Sequence, residues 1–313
     1  MARSGKWIKG TSAEQHVSEV AKQAIRARLC ELGEILPKAA MRPDDDIEFI
    51  HQLRVTSRRS VAALEMFEQL LPRKRADQLK KMLRRIRQAA GNRRDFDVLY
   101  DRLSQRAKQT PGSGIDRVLG GMARRRVEVH DQLSKVYRYW NDKGYDYRMV
   151  VFLKRIRWRG GDEEPRFESA ARVALQPLVD DFFQSSQIEF SDVAAIHQMR
   201  ISGKRLRYTM ELTAGAFDRF FRKNLYATFT EVQERLGNIN DHAFAALLLE
   251  LWSGETTDEQ EAAVLHQLVA LEKQLLQAAC ELLRIWWTPN RSLQLRQQFN
   301  QYLTKSSVPV DEK

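Results

Sequence analysis

A histidine followed by basic residues at helical spacing occurs twice in the chain. The first copy reads HQLRVTSRR from His51, and the second reads HQMRISGKR from His197. Positions i, i+3, i+4 and i+7 of a helix share one face, so the histidine and the cations of each copy form a stripe about 10 Å long. Neither copy contains an acidic residue. The cations would repel one another unless an anion lay across them, which favours the binding of a multiply charged anion.

An ordinary solvated helix face is the alternative explanation of each stripe. It predicts acidic residues interspersed at i+4, and the two segments have none. A lone histidine is more often a core residue satisfied by a carbonyl group, but a histidine in the basic row of both copies is better placed to donate to an oxyanion. If His51 and His197 are such contacts, anion binding is expected to tighten as they gain charge near the usual pKa of about 6.5.

The overall charge agrees with an anionic partner. The chain has 52 Lys and Arg against 41 Asp and Glu, a net charge of +11 and a pI near 9.7. The surface field therefore favours anions. Further basic clusters lie outside the stripes and lack equivalents in the second half, at Arg84 to Arg87, Arg93 and Arg94, Arg124 to Arg126, and Lys154 to Arg159.

The stripes belong to a longer internal similarity with a constant offset of 146 residues. The same offset pairs Glu65 with Glu211, Gly91 with Gly237, Asp95 with Asp241, Arg26 with Arg172, and Trp140 with Trp286. A register kept that long predicts an internal duplication. The predicted organisation is an N-terminal extension (1–10), a first helical bundle repeat (11–145), a short basic helix and connector (146–164), a second repeat (165–303) and a tail (304–313). The basic helix is predicted to cover residues 145 to 159, between connectors at Asn141 to Gly144 and Gly160 to Glu164.

The predicted fold class is all-α. Apolar residues recur at helical spacing, as at Leu79, Leu83 and Ile86, and no segment alternates as a strand would. Only 15 Gly and 8 Pro are present, so long helices are expected, with four main helices in each half. Breaks are predicted at Pro43 with Asp44 to Asp46, at Pro72, at Pro111 to Gly114, at Pro165, at Ser191 with Asp192, and at Asp218.

Cysteine usage and hydropathy favour a cytoplasmic protein that neither spans nor contacts a membrane. Cys30 and Cys280 lie far apart inside helical patterns, where a free cysteine behaves as a small buried apolar residue. No run of eighteen apolar residues occurs, and no apolar segment follows the basic residues near the N-terminus. A reducing compartment fits this pattern.

The paired histidine segments, with GNRRD from Gly91 and GNIND from Gly237 downstream, resemble the CHAD domain, the conserved histidine α-helical domain. The resemblance covers residues 12 to 303. It implies two four-helix bundles related by a pseudo-twofold axis, with a basic central surface. It also implies the binding of inorganic polyphosphate. Some members concentrate at polyphosphate granules, and some are fused to a triphosphatase domain of the CYTH type.

By position, the resemblance implies a first set of phosphate contacts at His51, Arg54, Arg58 and Arg59, and a second at His197, Arg200, Lys204, Arg205 and Arg207. Val61 stands where the family usually has a further basic residue, so Arg207 has no basic counterpart. Asp95 and Asp241 are expected to be structural, orienting Arg94 or capping a helix. Secondary candidates for phosphate contacts are Arg26, Arg84, Arg87, Arg94, Arg155 and Arg172.

Two other classes of function compete with a polyphosphate-binding module. A nonspecific nucleic-acid-binding protein would use the same basic surface, but the stripes hold no aromatic residue apart from Tyr208 near the end of one. An enzyme acting on phosphoanhydrides would need carboxylates for a divalent metal or a glycine-rich phosphate loop, and neither occurs beside the stripes. A non-catalytic module is therefore favoured, with no cofactor and no metal, or else a regulatory partner of a phosphate-metabolising enzyme.

Overall fold

The computed structural model describes residues 5–42, 46, 48–112 and 114–304. Within these residues helices are the only continuous regular structure, and one isolated antiparallel bridge joins His16 to Arg166. The all-α prediction is confirmed. None of the described helices combines the length and the apolar composition needed to cross a membrane.

The first five α-helices of the described chain lie before residue 154. Their bounds are α1 Val17–Met41, α2 Glu48–Met66, α3 Arg73–Gln109, α4 Ile115–Asp142 and α5 Tyr145–Leu153. The next five are α6 Phe167–Ser185, α7 Val193–Thr213, α8 Tyr226–Glu255, α9 Glu259–Trp286 and α10 Pro289–Thr304. Short 3₁₀ turns follow α2 and α7, and a π-helical turn at Phe221–Leu225 precedes α8.

The chain divides into two compact units, each formed by segments that are separated in the sequence. Unit 1 contains residues 21–161 and 244–273, and unit 2 contains residues 5–20, 162–243 and 274–304. In unit 1, α3 packs against α2 and α4, whereas in unit 2, α6 packs against α7 and α10. The repeat boundaries stay a prediction, because they group residues by sequence similarity and the units group them by contact.

Most predicted helix breaks are found where the sequence places them. Asp192 caps α7, its Oδ1 accepting hydrogen bonds from the backbone amides of Ala194 and Ala195 at 2.9 and 3.0 Å. Pro72 precedes α3, and Gly114 precedes α4 with a positive φ of 77° that suits glycine. The break predicted at Pro43 to Asp45 lies outside the described residues.

Two helical expectations are corrected. The basic helix expected to continue through Arg159 ends at Leu153. The residues after it bond instead to the 3₁₀ turn that follows α2, because the Arg157 amide and Arg159 Nε both donate to the Leu70 carbonyl, each at 3.3 Å. The second half has a helix beyond the four expected. Pro289 begins α10, and Thr288 Oγ1 accepts from the Arg291 amide at 3.2 Å.

The apolar faces predicted from helical spacing are buried. In unit 1, Leu79, Leu83 and Ile86 of α3 are buried, together with Ile50 and Leu53 of α2. Unit 2 has an aromatic core in which Phe182, Phe183, Phe229, Phe299 and Trp287 meet edge to face. Each stripe-bearing helix is thus held by its apolar side. The cysteine prediction is correct for Cys280, which is buried, and wrong for Cys30, which lies on the exposed side of α1.

Candidate functional site

The α2 face, defined as His51, Arg54, Arg58 and Arg59, lies in unit 1. All four side chains are partly buried rather than extended into solvent. The reason is that α3 packs alongside α2, so the stripe borders the groove between the two helices. Partial burial lowers the local dielectric and strengthens any interaction with a bound anion.

Arg54 is held in place from α3. Its Nη1 donates to Asp95 Oδ1 at 2.5 Å and lies 3.5 Å from the Gly91 carbonyl oxygen. A Cβ atom at position 91 would stand 3.9 Å from Arg54 Cζ, an ordinary van der Waals distance, so the guanidinium packs directly against this turn of α3. Asp95 was expected to orient Arg94 or to cap a helix. It is instead inside α3 and pairs with Arg54.

The pKa of His51 is affected by burial and by the charges around the α2 face. Burial lowers the pKa of its imidazole below the ordinary 6.5, and the positive charges of Arg94, Arg54 and Arg58 lower it further, while Glu48 acts in the opposite direction. Burial is the largest of these causes. Burial, three arginines and one glutamate therefore act together on this histidine, and the neutral imidazole is favoured.

The α7 face, defined as His197, Arg200, Lys204 and Arg205, lies in unit 2 and is less uniform. His197 is exposed, and its Nδ1 is 3.0 Å from Asn240 Oδ1 on α8. Arg200 is 9% exposed and Lys204 is partly buried. Arg205 is exposed and forms a long ion pair with Asp181, at 3.7 Å. The accessible cations of this face are therefore fewer than the sequence stripe suggests.

Arg207 belongs to an internal network. Its Nη1 donates to Glu211 Oε1 at 2.8 Å and to the Tyr226 hydroxyl oxygen at 3.2 Å, and Tyr226 donates to the same Glu211 oxygen at 2.7 Å. The Glu211 side chain is fully buried. The Arg207 guanidinium also lies 4.4 Å from the centre of the Tyr208 ring. These contacts indicate a structural role, in contrast to the predicted phosphate contact.

The same network predicts a loss of stability in alkaline solution. Burial, and secondly the charge of Glu211, raise the pKa of Tyr226 to about 12, whereas an unfolded tyrosine titrates near 10. The folded protein then holds this proton more tightly, so its contribution is present below pH 10 and is lost as the pH rises to 12. The free energy of unfolding should fall by up to about 1.4 kcal/mol per pH unit in this window.

Denaturant unfolding at several pH values checks this expectation. Tyr226→Phe is expected to reduce the slope between pH 10 and 12, whatever it does to the stability at neutral pH. An unchanged slope in the variant would assign the alkaline loss to other groups.

The secondary candidates divide into three kinds. Arg94 is partly buried and acts on His51. Arg172 is committed to unit 2, because it donates to Glu168 and to the Tyr302 carbonyl and lies over the Phe217 ring. The remaining four, Arg26, Arg84, Arg87 and Arg155, are exposed.

Sequence reasoning missed one residue beside the histidines. Asn240, which contacts His197, is 146 residues after Arg94, which acts on His51. Each histidine is thus approached from the following long helix at an equivalent position of the sequence. The constant offset would have identified this pair, but the different residue types, Arg and Asn, hid it.

Comparisons with known proteins give one family. Residues 23–250 match the family described as CHAD domain. The crystal structure of the CHAD domain from the plant Ricinus communis is similar with a TM-score of 0.68 and 19% identity, over 94% of this chain and 95% of that one. PptA from Streptomyces chartreusis is similar with a TM-score of 0.64 and 15% identity, over 92% of this chain and 100% of that one. No curated protein matches.

At such identities the two structures establish a shared fold, and the family match covers well over half of the chain. The histidine segments on α2 and α7 both lie within the matched range. The chain belongs to the CHAD-domain family.

Proposed function

We propose that this chain is a non-catalytic module that binds inorganic polyphosphate on the α2 face and the α7 face, and that binding concentrates it at polyphosphate granules in the cytoplasm. The CHAD family is associated with polyphosphate binding. Linear polyphosphate is an evenly charged chain, so its binding requires repeated cations and no base recognition. Arginine forks grip phosphate oxygens in pairs, and lysine adds point charge.

The grouping of Arg54 and Arg58 with His51 on α2, beside Arg94 of α3, is the observation that carries the proposal. Arg94, Arg54 and Arg58 act together on this imidazole, and all four groups lie on one helix face or beside it. Asp95 pairs with Arg54, and the charge of Glu48 acts on His51 in the direction opposite to the three arginines. A polyanion lying across the face would place its negative charges next to several guanidinium groups at once, which favours its binding.

The internal duplication is proposed as the origin of the two faces. The helix order supports it: α3 ends at Gln109 and α8 ends at Glu255, 146 residues later, and the 3₁₀ turns at Glu68–Leu70 and Ala214–Ala216 have the same separation. Arg207, which the internal network holds, is left out of the proposed contacts.

Titration with long-chain polyphosphate at several salt concentrations tests the function. Affinity should fall steeply with salt, with a logarithmic slope of about −0.7 to −0.9 for each neutralised phosphate if nucleic acids are a guide. A DNA oligomer matched in total charge should bind more weakly and should fail to displace polyphosphate. Equal affinity for DNA would favour a nonspecific nucleic-acid-binding function instead.

Polyphosphate binding is expected to strengthen as the pH falls. In the free protein the pKa of His51 lies below 6.5, since burial and the nearby Arg94, Arg54 and Arg58 outweigh Glu48. A bound polyanion raises that pKa, so the complex takes up a proton that the free protein does not hold. Affinity then rises as the pH falls through the pKa of the complex, and levels off below the pKa of the free protein. The gain is about tenfold for each unit of pKa change.

Dissociation constants measured from pH 8 to 5 check this expectation. His51→Gln should flatten the profile, and His266→Gln, at an exposed position on α9, should leave it unchanged. A profile that is the same in the His51 variant would exclude this histidine as the titrating group.

Asp95 is expected to help binding although its charge opposes it. Fixing an arginine side chain in advance saves up to about 2 kcal/mol of rotamer entropy, whereas a partly exposed charge contributes about 1 kcal/mol or less. Positioning of Arg54 therefore outweighs repulsion. Asp95→Asn should weaken polyphosphate binding about fivefold while making the protein more positive. The exposed Asp101→Asn makes the same charge change on α3 outside the face and should not weaken binding. Tighter binding by the Asp95 variant would show that its charge matters more than its contact.

A further inference from the structure

A cavity outside the two basic faces lies between the beginning of α3 and α5, within unit 1. Its volume is about 440 Å³. The cavity is lined by Lys74, Arg75, Gln78, Leu79, Tyr145, Arg148, Met149 and Phe152. Pockets that hold small ligands usually measure about 300 to 1,000 Å³, so a compound of moderate size fits.

The lining has a cationic and an apolar part. Lys74 and Arg148 are exposed, and Arg75 is partly buried. The apolar part is buried: Leu79 is 5% exposed, Tyr145 8%, Met149 9% and Phe152 2%. No acidic side chain is among the lining residues, and the first turn of α3 contains none either. The positive end of the α3 dipole adds to the same field.

The apolar wall is fixed by its own packing. The Tyr145 ring stacks on the Trp140 ring with centroids 4.9 Å apart, and Trp140 Nε1 donates to Asp146 Oδ1 at 3.1 Å. The Arg148 guanidinium carbon lies 5.4 Å from the centre of the Tyr145 ring. This cation is therefore placed at the boundary between the two parts of the lining, where a negatively charged group on an apolar body would meet it.

We propose that this cavity binds a nucleotide, with the base against the apolar wall and the phosphates against Lys74, Arg75 and Arg148. Inorganic polyphosphate does not suit the site, because it has no apolar part that could contact the apolar wall. A neutral apolar compound does not suit it either, because three cations with no acid among them favour a multiply charged ligand. The base supplies the flat apolar surface that Tyr145, Met149 and Phe152 can contact, and the phosphates supply the charge.

Calorimetric titration of ADP into the full chain tests the proposal. We expect binding with a Kd of about 1 mM or tighter, and at least tenfold weaker binding to the Lys74→Gln/Arg148→Gln variant. The Lys81→Gln/Arg138→Gln variant removes the same charges at exposed positions outside the cavity and should bind ADP as the unaltered chain does. Thermal unfolding of both variants shows whether either has lost its fold.

Two further ligands test the chemistry of the site. Pyrophosphate carries the charge of ADP without the base, and hexyl phosphate carries an aliphatic body in its place. Binding of pyrophosphate as tight as that of ADP would overturn the role of the apolar wall, and tighter binding of hexyl phosphate would overturn the nucleotide. No heat from ADP at millimolar concentration would overturn the site itself.

A final arm separates this site from the polyphosphate faces. The Arg54→Gln/Arg58→Gln variant should bind ADP normally, and the Lys74→Gln/Arg148→Gln variant should bind polyphosphate normally. Loss of ADP binding in the first variant would assign the nucleotide to the α2 face and overturn the proposal for the cavity, whether or not polyphosphate binds.

Discussion

The Arg54→Gln/Arg58→Gln variant is expected to bind long-chain polyphosphate about 100-fold more weakly than the unaltered chain. A hydrogen bond to a charged group contributes about 1.5 to 3 kcal/mol, so the loss of two amounts to at least about 3 kcal/mol. The effect is large because both guanidiniums are partly buried, where water does not fully replace the lost phosphate contact. Calorimetry or competition with a labelled polyphosphate measures the change.

The salt dependence of the same variant distinguishes lost contacts from a general loss of charge. Two fewer neutralised phosphates should reduce the logarithmic salt slope by about 1.5 to 2. Arg106→Gln/Lys108→Gln removes two cations from the last turn of α3 and is the matched control. It should cost only a few-fold in affinity. If the two variants lose affinity equally, polyphosphate responds to net charge and the α2 face is not its site.

The helical class and the buried side of each stripe could be predicted from sequence because both depend on local periodicity. Ile50 and Leu53 are fully buried, and so is Met199, as their spacing requires. The Asp192 cap was likewise evident from residue type, and the structure confirms it. Interactions within one helix or at its end are fixed by neighbours a few residues away, so the order of residues already contains them.

Partners that come from other helices could not be predicted in this way, unlike Glu211, which lies one turn after Arg207 in α7. Arg54 meets Asp95, 41 residues further along, and Arg207 meets Tyr226, 19 residues further along. Arg200 lies in the same row as His197 but is only 9% exposed, whereas His197 is exposed. A stripe on one helix therefore defines which cations share a face, and the packing of the next helix decides which of them a ligand can reach.

The pH dependence of polyphosphate binding likewise depends on contacts between helices as well as on residue type. Residue type alone assigns His51 the ordinary pKa of about 6.5. Burial against α3 and the charge of Arg94, which α3 contributes, lower it. Both effects need the second helix. The sequence therefore predicts that binding is pH-dependent, and the structure moves the expected contribution of His51 to lower pH.

The nucleotide cavity has no sequence signature at all. Lys74 and Arg75 begin one helix and Arg148 lies on another, with no shared spacing and no motif. Its apolar wall consists of residues that helical periodicity assigns to the core. Such a site depends on a gap left between α5 and α3, and the packing of two helices against each other cannot be read from the spacing within either one.

Removal of the Glu211 carboxylate is expected to destabilise the protein by about 3 kcal/mol, without weakening polyphosphate binding by the molecules that remain folded. Breaking a buried ion pair by removing one partner costs about 3 to 5 kcal/mol, since the other charge stays buried. We expect a loss at the lower end of this range, because the Arg207 side chain is 19% exposed and its charge can partly reach water. Urea unfolding of Glu211→Leu measures the loss.

Replacing both partners separates the network from the ligand site. Arg207→Met/Glu211→Leu should recover part of the lost stability, because an apolar pair of similar volume needs no desolvation of charge. The recovery is incomplete because the buried Tyr226 hydroxyl loses both of its partners. The same double variant should keep its affinity for polyphosphate, since Arg207 is engaged by Glu211 and Tyr226. If the Arg207→Met/Glu211→Leu protein is stable yet binds polyphosphate tenfold more weakly, Arg207 contacts the ligand as its place in the basic row suggested. Unaltered affinity would mean that unit 2 uses its last stripe arginine to hold α7 against α8, leaving ligand binding to the exposed His197 and Arg205 and the partly buried Lys204.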